Sequence, residues 1–296
     1  MSISDLSTLP APSLLEELDY EQVLEEMLTR YRVQNSTFDA LLESDPIYKA
    51  FEVAAYFRMK DRQRVNEAAK AVMLALATGS DLDQIAVRYD VQRQLITPAD
   101  NHTIPPTQAV YESDDDLRRR VLLAFEGLSV AGPEQAYKFH ALSADPSIAD
   151  ASAIMPSRGQ VLVTLLSREG DGHASDEQIK AVEQALNAEE VRPLTDEVIV
   201  QSAAVVKYSI TATLYMQDDP GQSPIMDAAR QALQTYVSSL SRLGRNIRRS
   251  AIIAAMSVAG VQYVELTAPA KDIVLSKEQA SFCTQIQLKN GGGDDS

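Results

Sequence analysis

The chain has 296 residues, 45% of them apolar and 23% charged, which is enough for two or three compact units and too apolar for a disordered chain. Its formal net charge of −15 argues against a protein whose main work is gripping nucleic acid or an anionic membrane, because phosphate binding needs an excess of Lys and Arg on some face. A single cysteine, Cys283, excludes an intrachain disulfide and a cysteine-type structural zinc site, and no apolar run approaches the roughly 18 residues of a membrane span.

In chain order, residues 1–12 are polar, carry Pro10 and Pro12, and read as flexible. Met1 to Ser13 lacks both a basic n-region and an apolar h-region, so no signal peptide is expected, and the single cysteine suits synthesis in the cytoplasm. Ser13 to Arg32 predicts an acidic amphipathic helix: Tyr20, Leu24, Met27 and Tyr31 form its apolar stripe, widened by Leu28, with Glu16, Glu17, Glu21, Glu25 and Glu26 opposite. After Ser44-Asp45-Pro46 a long helix is predicted from Ile47 to Ala77, with Ile47, Phe51, Ala54, Val65, Ala68, Val72 and Leu76 on one face that needs a partner surface. It breaks at Ala77-Thr78-Gly79-Ser80, where Gly79 suits a left-handed helix end and Ser80 with Asp83 reads as the next N-cap. A second, short helix over Leu82–Ala86 closes on Val91-Gln92-Arg93, giving a helix-turn-helix.

Pro98, Pro105 and Pro106 with Asp100-Asn101 predict an extended connection over 94–111 and a domain boundary there. Ser113 to Asp116 should open a helix whose first-turn carboxylates suit the helix dipole, with Leu117, Val121, Ala124, Phe125 and Leu128 inward. Arg118, Arg119 and Arg120 fan around it and are expected to be mostly solvated. Gly132-Pro133 starts another helix to about Leu142. Beyond it the pattern alternates: a strand over Gln160–Ser167; a helix from the Ser175–Gln178 capping box to about Asn187; strands over Glu197–Ala203 and Val205–Tyr215; helices over Pro224–Leu243 and Ile247–Val258; strands over Val261–Leu266 and Phe282–Leu288. The tail, 291–296, is Gly- and Asp-rich and reads as disordered. A weak echo, helix end then a small-residue run to a proline, links Leu142–Pro156 with Met256–Pro269. The expected fold class is therefore α+β: a helical N-terminal region (1–93), a Pro-containing linker (94–111), and two tandem small α/β sandwich domains (112–203 and 204–290).

The opening segment, with Arg58, Asn66, Ala77-Thr78-Gly79, Leu82-Asp83 and Arg93, resembles the N-terminal part of the phage baseplate J-like proteins, wedge components of contractile tails. Three further signatures follow in that family's order: Glu112–Arg120, Gly132–Tyr137, and Leu243-Gly244, Ile247, Ser250–Ile253, Gly260-Val261 up to Pro269. Many members insert a β-rich barrel after the helical part; here only the short connection 94–111 stands there, as in the compact form of phages related to P2 and of R-type pyocins. The resemblance implies a structural role in baseplate and tail assembly and in the change that triggers sheath contraction, at the baseplate of the virion tail. Its implied partners are a second copy within a wedge, further copies around a ring, a small lysozyme-like wedge protein, and a tail protein sharing a helical bundle.

The residues themselves offer no catalyst. His102, His140 and His173 stand in unlike contexts without a metal-ligand spacing, and Cys283 has no basic neighbour in sequence to activate it. Glu169-Gly170-Asp171-Gly172 lacks calcium-loop spacing and reads as a polar turn. No phosphate-binding or nucleophile-elbow motif occurs, so no cofactor, metal or small-molecule substrate is expected. The interface candidates are Tyr20, Leu24, Met27 and Tyr31 on the first helix, and Arg242, Arg245, Arg248 and Arg249 around Gly244. The rival reading is a cytoplasmic helical adaptor without a place in a particle.

Overall fold

In the computed structural model Asp19, not Ser13, opens the first helix, α1 (Tyr20–Gln34), its carboxylate accepting the Glu21 and Gln22 N–H groups at 2.9 and 3.3 Å. The residues before it are held out of helix by Asn66, which accepts the Glu16 N–H at 3.1 Å and donates to the Glu16 carbonyl at 2.8 Å. The structure describes residues 12–35, 42–128, 133–189, 191–193, 195–216 and 222–292. The chain divides into two compact units, Met1–Arg93 with Ser113–Leu122, and Gln94–Glu112 with Leu123–Ser296. Residues 1–11 and the tail from 293, both expected to be flexible, lie outside the described residues.

In the first unit α1 packs on α2 (Pro46–Ala71), which carries Pro46 at its first turn. Val23, Leu24, Leu28 and Ala55 are buried between them, bordered by Tyr20, Met27, Tyr48 and Phe51. Helix α2 ends six residues before the predicted Ala77. The residues beyond Ala71 turn instead, and Arg118, from elsewhere in the unit, holds that turn by donating to the Leu74 and Ala77 carbonyls at 2.8 and 2.9 Å. Next comes α3 (Gly79–Val87), with Thr78 rather than Ser80 at the N-cap and Gly79 at φ +53°, a conformation that favours glycine. Leu82, Ile85 and Ala86 are its buried residues, and Val91, just beyond it, is buried too.

A short antiparallel ribbon, β1 (Leu95–Thr97) and β2 (Val110–Tyr111), occupies the stretch expected to be a plain extended connection. In α4 (Asp114–Gly127), Leu117, Val121, Leu123 and Ala124 are buried, whereas Phe125 and Leu128 are 68% and 79% exposed. The inward assignment of those two is corrected: the helix stops at Gly127, so Leu128 falls off the stripe, and Leu123 fills the core instead.

The second unit carries two three-stranded sheets. Helix α5 (Glu134–Ala144) leads into β3 (Ile148–Ser157), which pairs antiparallel with β4 (Gln160–Ser167). Helix α6 (Asp176–Leu186), opened by the predicted Ser175–Gln178 capping box, crosses over to β5 (Glu197–Ser202), parallel to β4. In the second sheet β6 (Ala204–Met216) is central. It is followed by α7 (Gln222–Ser239), α8 (Arg249–Met256), β7 (Val261–Ala268), antiparallel to β6, and β8 (Gln279–Asn290), parallel to it. Tyr208, Ile210, Ala212, Leu214 and Met216 alternate inward along β6 onto Leu233, Ile247, Ile252 and Met256. The architecture is α+β. Each sheet has one antiparallel and one parallel neighbour on a middle strand, and the echo noted above marks the helix that precedes the antiparallel edge strand. The chain order differs, however: that edge precedes the middle strand in the first sheet and follows it in the second.

Two helix ends and the tail differ from expectation. Helix α7 stops at Ser239, since Gly244 (φ +67°) gives its N–H to the Gln279 carbonyl at 2.9 Å. Ile247 is extended, exchanging backbone bonds of 2.9 Å with Ile273, so α8 starts two residues late. Gly291 and Gly292, assigned to a disordered tail, continue the pairing with β6 through the Leu214 carbonyl and the Met216 N–H at 2.9 and 3.2 Å.

Candidate interaction surfaces

Helix α2 has 26 residues, roughly 39 Å of axis. Among its described residues only Ala55 is buried. Val53, Tyr56, Phe57 and Val65 are exposed, Phe57 at 58%, although an amphipathic helix gains its stability by covering such a face. Of the first-helix candidates, Leu24 is buried against Ala55, Tyr20 and Met27 border that contact, and the Tyr20 hydroxyl donates to the Glu52 carbonyl at 3.2 Å. Tyr31 meets Phe51 edge to face, centroids 5.2 Å apart. Met27, Tyr31 and Phe51 also line an open groove of about 520 Å³ rimmed by Arg30, Arg58 and Arg62. The four positions thus face α2 and, at the Met27–Tyr31 end, an uncovered apolar groove.

The arginines of α4 are not solvated, contrary to expectation. Arg120 is buried and donates to the Gln92 carbonyl at 2.5 Å, while Arg118 holds the Leu74 and Ala77 carbonyls and Asp115. Beside them Arg93 pairs with Asp83 at 2.7 Å and Asp114 at 2.6 Å, and Asp114 also accepts the Gly79 N–H at 3.1 Å. Burial alone would lower the Arg93 guanidinium, but the two carboxylates outweigh it and hold it above its ordinary value. Asp83, read from sequence as part of an N-cap, is therefore a partner of Arg93. Sequence spacing gave no sign of this clasp, whose members are far apart along the chain.

The four arginines around Gly244 separate. Arg242 donates to the Ala149 carbonyl, and Arg249 to the Pro269 and Leu266 carbonyls, so both are spent within the chain. Arg248 is half-exposed and pairs with Asp272 at 2.9 Å, and Arg245 is exposed. Asp272 sits below the usual carboxylate range, chiefly through the Arg249 N–H and then Arg248. Next to this segment lies a junction between the sheets. Asp150 accepts the Ala151 and Leu243 N–H groups at 2.8 and 3.1 Å and pairs with Lys138 at 3.2 Å, and Ser152 donates to the Lys277 carbonyl at 2.6 Å.

The groups weighed for chemistry are placed apart. The His140 ring bonds the Gly127 carbonyl at 3.1 Å, that of His173 the Ser202 hydroxyl at 3.0 Å, and His102 is exposed on the ribbon. Burial raises the Cys283 thiol, against the opposing pull of the Gln285 backbone, so it is further from thiolate than a solvated cysteine. The Glu169–Gly172 turn closes on itself, the Gly172 N–H on the Glu169 carbonyl, and Asp171 pairs with Lys207 at 2.9 Å. Among the described residues no group of three or more His, Cys, Asp and Glu is placed to hold a metal, and no helix is long and apolar enough to cross a membrane.

Comparison with known proteins settles the family. Residues 43–100 match a model of the baseplate J-like N-terminal domain, 129–202 the central domain and 208–289 the C-terminal domain. Baseplate protein J of Escherichia phage P2 is 51% identical over 302 residues, covering all of both chains. The chain belongs to the baseplate J-like family. This bears out the resemblance carried by Ala77–Gly79, Glu112–Arg120 and Gly132–Tyr137. A chain in a cryo-EM structure of the anti-feeding prophage baseplate matches at a TM-score of 0.40 and 11% identity, over 62% of this baseplate J-like chain and 44% of that one, which is too loose to establish a common fold.

Proposed function

We infer that this chain is a structural component of the baseplate of a contractile tail, located at the virion tail, and that it works by holding neighbours rather than by catalysing a reaction. Family membership along the full length supports the baseplate role, and one feature of the geometry carries the mechanical reading: α2, a 26-residue helix, keeps Val53, Tyr56, Phe57 and Val65 in solvent. A helix left this bare is complete only when another chain covers it.

Within that role, α1 and α2 form the bundle contact, with Met27, Tyr31 and Phe51 in its groove, and the tail protein that shares the bundle lies there. The self-contact within a wedge and around the ring runs over the C-terminal domain, through the outward Arg245 and Arg248, and the small lysozyme-like wedge protein joins the same assembly. The second unit, with its two sheets pinned at Asp150, serves as the rigid body, and contraction rearranges one interface while another is kept.

Gene deletion tests the role: no contractile particles should form, and recovery of intact, contractile tails would end this reading. A Phe57→Asp chain should keep its own melting temperature and lose the bundle partner on copurification; if the partner is retained, the covered face lies elsewhere.

A further inference from the structure

The groove between α1 and α2, about 520 Å³, falls within the range of sites that bury a ligand, roughly 300–1,000 Å³. Met27, Tyr31 and Phe51 give it an apolar floor, and Arg30 and Arg58 line it too. In a chain of formal net charge −15, neither of these two arginines has an ion pair or a hydrogen bond among the described residues. An occupant that fits brings aliphatic side chains together with negative charge.

The Arg62 end of this groove is where the chain comes in. Glu16 pairs with Arg62 at 2.7 Å, Asn66 fixes the Glu16 backbone, and the Leu15 N–H closes a turn on the Pro12 carbonyl at 3.0 Å. A smaller hollow beside Glu16 and Leu18 shares Val23, Glu26 and Arg62 with the groove, so the two are continuous. Residues 1–11 precede that turn. At full stretch they reach roughly 36 Å, whereas α2 rises only roughly 17 Å between Arg62 and Phe51. Ile3, Leu6 and Leu9 recur at every third position, the repeat that lines one edge of a polyproline-type chain, and Asp5 is the one charged side chain among residues 1–11.

We propose that in the unassembled chain the groove is occupied by residues 1–11 of the same molecule, with Ile3 and Leu6 on Met27, Tyr31 and Phe51, and Asp5 between Arg30 and Arg58. Reach, point of entry, aliphatic content and charge all match. The turn at Pro12 tethers the segment beside the groove, so the contact is intramolecular and a modest apolar surface is enough to hold it. A second copy or another protein would have to bind without that tether. The groove is thus closed until assembly, and the protein that shares the bundle displaces residues 1–11 to enter it. The displacement rests on the baseplate role given above; the occupancy of the groove does not.

The test uses the purified whole chain, an equal mixture of isotopically labelled and unlabelled protein, with a photo-crosslinking residue in place of Leu6. Mass spectrometry should find adducts within single molecules, to the Val23–Gln34 part of α1 or the Phe51–Arg62 part of α2. Asp5→Arg alone, or Arg30→Glu together with Arg58→Glu, should cut the adduct by about two- to fivefold, the factor that an exposed ion pair is worth, and all three substitutions together should restore it. Adducts that join labelled to unlabelled chains would put a second copy in the groove and overturn the proposal. Adducts outside the two helices, no adduct, or a yield indifferent to the charge reversals would overturn it as well. Contractile tails recovered after gene deletion would end the baseplate role and the displacement with it, and would leave the crosslink result to decide the occupancy by itself.

Discussion

Asp150→Ala should damage the second unit strongly. The Asp150 side chain is 3% exposed and Lys138, its partner at 3.2 Å, 17%. The same carboxylate accepts the Leu243 N–H from the segment after α7, so it ties the β3 edge of one sheet to the other domain. Alanine takes the carboxylate away from a largely covered ammonium and from the Leu243 N–H. Breaking a buried pair from one side costs about 3–5 kcal/mol. A unit of this size shifts by about 2–4 °C per kcal/mol, so the melting temperature should fall by roughly 10 °C. The chain has no tryptophan, so urea unfolding is best followed by circular dichroism. Adding Lys138→Met removes the ammonium that Asp150 faces, and the double variant should recover part of the loss. A cost below about 1 kcal/mol for Asp150→Ala, or a double variant worse than the sum of the singles, would refute the view that this pair joins the sheets.

Other outcomes follow from the same geometry. Arg118→Ala removes charge-assisted bonds to the Leu74 and Ala77 carbonyls and should cost about 2–4 kcal/mol, read most directly as faster amide exchange in α3. Gly127→Ala would bring a Cβ to 2.2 Å from the Phe139 ring and should destabilise the end of α4 by about 1–3 kcal/mol in a urea titration. Burial holds His140 below its ordinary value, opposed by the Gly127 carbonyl, so the unfolded chain binds a proton the folded one resists. Stability from this group is complete above the unfolded value near 6.5 and is lost as pH falls from there through the folded value; a His140→Gln chain should show a flatter pH–stability curve over that window.

Much of the architecture was legible in the sequence because it rests on periodicity and local caps. The Ser175–Gln178 box, the alternation along β6 and the run at β4 each specify their element without help from the rest of the chain. The family, too, was readable, because its signatures are short local runs in a fixed order. What escaped was set by distant groups. Strand β3 is an Ala-, Ser- and Asp-bearing stretch with little strand propensity of its own, and it is extended because β4 pairs with it and Asp150 finds buried partners. The turn that follows α2 is held by two carbonyl bonds from Arg118, forty-odd residues on.

The interaction surfaces divide in the same way. Sequence alone marked Tyr20, Leu24, Met27 and Tyr31 as one apolar face and Arg242 to Arg249 as a basic cluster, since stripe and charge are properties of spacing. Only the folded chain decided that Leu24 turns into α2, that Arg242 and Arg249 are consumed by carbonyls, and that Phe57 and Ile104 stay outside. Periodicity tells which residues share a face; what covers that face depends on where the rest of the chain arrives, and that is fixed by packing and by hydrogen bonds between residues far apart in sequence.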